Sequence, residues 1–107
     1  MFRYVSLLQF TEAGAREIDK SPRRAAGFVE LAAAMGVMVE SQLWTTGAYD
    51  GVLIVTGRSE EAVLGALSKL AAHGYVRTEN MRAFTAHEML AIMPDNGRPQ
   101  PQRKTLK

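Results

Sequence analysis

The sequence predicts an α+β fold of order β-α-β-β-α-β, and three observations carry that prediction. First, the turn Gly47-Ala48-Tyr49-Asp50-Gly51 runs into an uninterrupted aliphatic stretch, Val52-Leu53-Ile54-Val55. A strand with one wet face alternates apolar and polar side chains. This one does not, so both faces of its sheet should be covered. Second, the opening segment is also apolar on both sides, with Tyr4, Leu8 and Phe10 facing one way and Val5 and Leu7 the other. Third, two stretches with apolar residues at three- and four-residue spacing separate the strands in a duplicated strand–helix–strand rhythm. Right-handed crossovers then put both helices on one face of a four-stranded antiparallel sheet, with the first and third strands at its centre. This is the ferredoxin-like plan.

Residues 2–10 read as the first strand. Thr11 opens a short helical turn that runs to about Lys20. Ser21-Pro22 signals a second start, with Ser as N-cap and Pro at the first helical position. Ala25, Phe28, Ala32 and Met35 form one apolar stripe, and Gly36 marks a stop. Val37 to Thr45 reads as an edge strand, with Glu40 and Gln42 alternating against Val39, Ser41 and Leu43. Thr46 to Tyr49 makes the turn, and the third strand runs from about Asp50 to Thr56. Ser59 caps the next helix, with Glu60 and Glu61 at its positive end. Its inward stripe is Val63, Leu67, Leu70 and Ala71, and Gly74 ends it. Tyr75 to Phe84 is the fourth strand and second edge. Thr85 caps a last short helix that stops at Met93-Pro94.

A chain of 107 residues is one domain, here residues 1–94, followed by a flexible basic tail over 95–107. The apolar share of 47% and charged share of 22% are those of a soluble globular protein. Cysteine is absent, which excludes disulfides, thiolate metal sites and a cysteine nucleophile. No stretch approaches the ~20 apolar residues of a membrane span, and the amino terminus lacks the length and cleavage site of a signal peptide. A cytoplasmic location is expected. The net charge is +2, but four cations and one carboxylate after residue 94 contribute +3, leaving −1 for residues 1–94. A near-neutral body argues against a dedicated nucleic-acid surface.

The two-sided apolar sheet has helices for one face only. Burying the other face, roughly several hundred Å2 at ~25 cal/mol per Å2, contributes several kcal/mol, whereas leaving it wet exposes a patch that invites association. Two copies packed sheet to sheet solve this symmetrically. The expected assembly is therefore a homodimer, a dimeric α/β barrel, with room for larger rings built of dimers.

Trp44-Thr45-Thr46-Gly47-Ala48-Tyr49-Asp50-Gly51-Val52 resembles the signature of the GYD domain family. Val76-Arg77-Thr78-Glu79-Asn80-Met81-Arg82-Ala83-Phe84-Thr85 is similar to that family's fourth-strand motif, and Tyr4 to Thr11 and Ser21-Pro22-Arg23-Arg24 also fit. The resemblance spans about residues 3–92. It implies a ferredoxin-like fold of the dimeric α/β-barrel type. Relatives in fold include cofactor-free monooxygenases, small decyclases and cyclases, and stress-induced proteins. Fold kinship assigns no reaction, and the family supplies no agreed catalytic residue.

Candidate ligand-binding residues are Trp44, Tyr49, Asp50, Thr78, Arg82 and His87. Asp50 is a base or a ligand acceptor, or else it fixes the turn through backbone N–H groups. Trp44 and Tyr49 wall a ligand pocket, or pack in an interface. On the fourth strand Thr78 and Arg82 share one face, Arg77 and Glu79 the other. An arginine in a cleft binds a carboxylate or phosphate; on an edge strand it serves ion pairing, for example with Glu40. His87 suits proton transfer better than His73, which tempers a helix end. Two histidines this far apart suggest no metal site, and no cofactor motif is present.

The expected function is a homodimer that binds an apolar or aromatic small molecule in a cleft bordered by Trp44, Tyr49 and the fourth strand, and that turns it over without a cofactor if it is an enzyme. The alternative is a non-enzymatic interaction module using the dimer surface and basic tail. RNA binding ranks third, because the central strands carry aliphatic residues where base stacking needs exposed aromatics.

Overall fold

In the computed structural model, which describes residues 1–93, the sheet order is β2-β3-β1-β4 with every neighbour antiparallel. The strands are β1 (Phe2–Phe10), β2 (Val37–Trp44), β3 (Gly51–Gly57) and β4 (Val76–Ala83). The helices are α1 (Glu12–Arg16), α2 (Ser21–Ala34), α3 (Glu60–Ala72) and α4 (Ala86–Ile92), with a 3-10 turn over Ile18–Lys20. The expected α+β architecture is what the chain adopts. The tail over 95–107 lies outside the described residues. No described helix is long and apolar enough to cross a membrane.

Register fixes the two faces. Tyr4 lies beside Val55 and Arg82, and Ser6 beside Leu53 and Asn80. These residues share the face on which Phe28 and Ala32 of α2 and Val63, Ala66 and Leu67 of α3 complete the buried core. Arg3, Val5 and Leu7 of β1 and Val52, Ile54 and Thr56 of β3 occupy the opposite face, which α2 and α3 leave bare. There Met38 and Leu43 are each 58% exposed and Met81 is 41% exposed. Val5, Leu7, Val52 and Ile54 are half-buried among their neighbours.

The expected caps at Ser59 and Thr85 form, and Thr11, which opens α1, caps it as well. Thr11 accepts the Gly14 N–H, Ser59 the Ala62 N–H and Thr85 the Glu88 N–H. At Thr85 the Glu88 carboxylate returns to the Thr85 N–H at 2.7 Å, closing a capping box.

Three local details differ from the sequence reading. Ser21 is not an N-cap. The 3-10 turn already sets Lys20 in helical geometry, so α2 begins one residue early, and the Ser21 hydroxyl donates back to the Ile18 carbonyl at 2.7 Å. β2 does not alternate cleanly either. A bulge between Val39 and Ser41 makes Glu40 the extra residue, so Val37, Val39, Gln42 and Trp44 all lie on the helix face. In α3 the inward stripe uses Ala66, while Ala71 is exposed.

Two glycines are dictated by geometry. A side chain at Gly14 would place its Cβ 2.0 Å from the Tyr75 carbonyl oxygen, so only glycine lets α1 press against the α3–β4 turn. Gly74, at φ 86°, turns that chain into β4 through the left-handed region.

Candidate functional site

At the Phe10–Trp44 end of the molecule, α2 stands off from the sheet and leaves a cavity of about 480 Å3. That volume is within the range of small-molecule sites. Its walls are Leu8 and Phe10 from β1, Phe28 and Leu31 from α2, Leu53 from β3, Leu70 from α3 and Val76 from β4. The lining is mostly apolar because each of these positions lies on the helix face in register or on the inner stripe of its helix.

Polar groups gather toward one end. Trp44 lines the cavity and its indole N–H donates to the Ser21 hydroxyl at 3.0 Å, tying the end of β2 to the start of α2. Gln42 donates to the Ala25 carbonyl at 3.0 Å. The Arg24 guanidinium lies 3.5 Å from the Tyr75 ring centroid, a cation–π contact. The same guanidinium pairs with the Glu17 carboxylate. The Arg24 hydrogen bond, helped by the nearby charge of Lys20, holds Glu17 below the usual carboxylate range. Arg24, Tyr75 and His73 all line the cavity.

Asp50 sits where the Thr46–Tyr49 turn enters β3. Its N–H donates to the Leu8 carbonyl at 2.7 Å, and its carboxylate accepts the Phe10 N–H at 2.8 Å. Its carbonyl accepts the Thr45 N–H at 2.9 Å. One residue thus joins β1, β2 and β3 at the cavity.

Of the six residues singled out from sequence, Trp44 and Asp50 come together on the cavity lining. The other four lie elsewhere. The Tyr49 hydroxyl donates to Glu79 at 2.7 Å, and register with Leu7 places Glu79 on the bare sheet face. This bond, first, and the charge of Glu79 push the Tyr49 phenol above its ordinary range. Thr78 pairs with Leu8 on the helix face without lining the cavity. Arg82 lies toward the other end of β4, 3.8 Å from Glu60 of α3 and between the rings of Phe2 and Phe84, at 4.7 and 4.6 Å. His87 is exposed in the first turn of α4. Glu40 pairs with Arg3 at 3.2 Å, not with β4. Among the described residues no group of three or more His, Cys, Asp or Glu is placed to hold a metal.

Sequence reasoning passed over Arg24, Gln42, His73 and Tyr75 as site residues. Arg24 was within reach, because it precedes Phe28 by four and Leu31 by seven and so shares their face of α2.

Comparison with known proteins settles the lineage. The GYD domain family matches over residues 4–93, nearly all of the described body. The chain belongs to the GYD domain family. As a solved structure, a hypothetical protein from Pyrococcus horikoshii is similar, at 19% identity and a TM-score of 0.53, covering 81% of this chain and 94% of its own. At that identity the likeness concerns the fold. No curated protein matches. Trp44, Tyr49 and Asp50, close in sequence, thus serve two places in this chain. Trp44 and Asp50 border the cavity, while Tyr49 crosses to the bare face.

Proposed function

We propose that this GYD domain protein binds an apolar or aromatic small molecule in the cavity between its sheet and α2, and that it works as a homodimer joined through the bare sheet faces. The observation that carries the binding reading is a cavity of about 480 Å3 whose walls are almost wholly aliphatic and aromatic. An apolar cavity is an energetic liability, since its lining forgoes packing contacts. A resident ligand restores those contacts.

The dimer reading rests on the other face. A four-stranded sheet with strands ~4.8 Å apart and about eight residues of ~3.3 Å each offers on the order of 500 Å2 in plan. With side-chain relief this is the scale of one side of a standard interface, roughly 800 Å2 per partner. Apolar Val5, Leu7, Val52 and Ile54 lie at its middle, and the polar pairs Arg3–Glu40 and Tyr49–Glu79 lie toward its ends. That arrangement matches an apolar interface core with a polar rim.

The binding reading is tested by thermal denaturation in the presence of naphthalene-sized aromatic compounds. A ligand at about 100 times its Kd stabilises the folded state by about 2.7 kcal/mol, a shift of roughly 10–20 °C in a domain this small. The variant Leu31→Trp, which fills the cavity from α2, should abolish the shift. Absence of any shift across apolar probes in the wild-type protein would contradict the reading.

A further inference from the structure

Several polar groups on the cavity's lining already have protein partners. The Trp44 indole N–H is held by Ser21 at 3.0 Å, the Ser21 hydroxyl by the Ile18 carbonyl at 2.7 Å, and Gln42 Nε2 by the Ala25 carbonyl at 3.0 Å. Arg24 is held by the carboxylate and carbonyl of Glu17 while its face rests on Tyr75. Each of these donor groups thus has a protein partner, with Arg24 engaging two of its five N–H groups and Gln42 one of its two.

Two acceptor atoms have no such partner. Asp50 Oδ2 takes the Phe10 N–H at 2.8 Å, and Oδ1 has no protein partner among the described residues. Asp50 also forms no ion pair there, whereas Arg24, the lining's permanent cation, is neutralised by Glu17. Gln42 Oε1 likewise has no partner among the described residues. A carboxylate offers about four lone-pair sites. His73 and Tyr75, also on the lining, can each donate or accept.

Resting on the cavity reading above, we infer that the ligand is an apolar molecule bearing a hydrogen-bond donor, a hydroxyl or an amine, seated against the Asp50 carboxylate, and that carboxylates and phosphates are rejected. An entering anion meets the like charge of Asp50 at close range. A hydroxyl or ammonium group gains a charge-assisted hydrogen bond. Bonds to charged groups correspond to about a ten- to hundredfold gain in affinity over a ligand without the donor.

The experiment is calorimetric titration with four probes of one skeleton: naphthol, naphthylmethylamine, naphthoate and methylnaphthalene. In the wild-type protein naphthol or the amine should bind at least about tenfold more tightly than naphthoate. A lead for naphthol identifies a neutral donor and a lead for the amine a cationic one. Asp50→Asn keeps an oxygen for the Phe10 N–H and presents an NH2 group in place of Oδ1, so it should weaken the donor probes and strengthen naphthoate. Equal or tighter binding of naphthoate by the wild type overturns the inference and leaves the cavity reading standing. An unchanged probe order in Asp50→Asn overturns it as well. If no probe binds, methylnaphthalene included, the cavity reading falls and takes the inference with it. Should the variant fail to fold, the wild-type order decides alone.

Discussion

The Asp50 carboxylate accepts the backbone N–H of Phe10 at 2.8 Å, supplying the rung that β3 can no longer offer once the chain turns away from β1. A side chain replaces a main-chain carbonyl, and the end of the central strand pair is held at the cavity. Asp50→Ala leaves that N–H without its partner and should cost about 1–3 kcal/mol. Asp50→Asn should cost less, because an amide oxygen still accepts. Urea denaturation of both variants measures the difference; equal losses would show that the bond to Phe10 is not what Asp50 contributes.

Gly14 and Gly27 should respond oppositely to the same change. A Cβ at Gly14 meets the Tyr75 carbonyl at 2.0 Å, a clash with backbone. Gly14→Ala should therefore destabilise by at least about 1–3 kcal/mol. Gly27, within α2, has nothing within 4 Å of the same added atom. Gly27→Ala should stabilise by about 0.5–1 kcal/mol through helix propensity. Thermal melts of the two variants check both signs.

Much of the fold was legible in the sequence. Thr11, Ser59 and Thr85 each precede a helix and each caps it, because capping needs only a hydroxyl and an N–H a few residues on. The aliphatic run of β3 marked a central strand for the same reason of locality. Ser21 misled because the turn before it had already entered helical geometry, a fact set by residues 17–20 acting together. The bulge at Glu40 was hidden because an edge strand tolerates polar residues on either face. The cavity was least legible, since an empty volume depends on how far α2 stands from the sheet. Its lining residues carry ordinary core patterns. Arg82 drew attention as a cleft arginine, yet contacts made far along the chain, with Phe2, Glu60 and Phe84, determine where it rests.

Glu17 and Glu88 set the acid limb of stability. Arg24 holds the first below the ordinary carboxylate range, and the Thr85 backbone N–H holds the second there. A carboxylate with a lowered folded pKa binds fewer protons folded than unfolded, so its contribution is complete above the ordinary glutamate range. It is lost as the pH falls through the lowered values. The wild-type protein should lose stability in that window, and Glu88→Gln should flatten part of the fall, as followed by urea midpoints across acid pH.

The bare face predicts assembly. Met81 is 41% exposed in a single subunit, so Met81→Glu should leave the fold intact. In a sheet-to-sheet dimer the same change buries an unpaired charge, which costs several kcal/mol. Sedimentation equilibrium at micromolar concentration should find dimers of the wild type and single subunits of Met81→Glu. A wild type that sediments as a single subunit would refute the assembly.

The cavity itself is open to direct inspection. Crystals of the protein pressurised with xenon should show the gas bound between α2 and the sheet, in contact with Phe28, Leu31 and Leu53, since a dry apolar volume takes up xenon. Side chains closed over that space, or a chain of ordered waters filling it, would contradict the account.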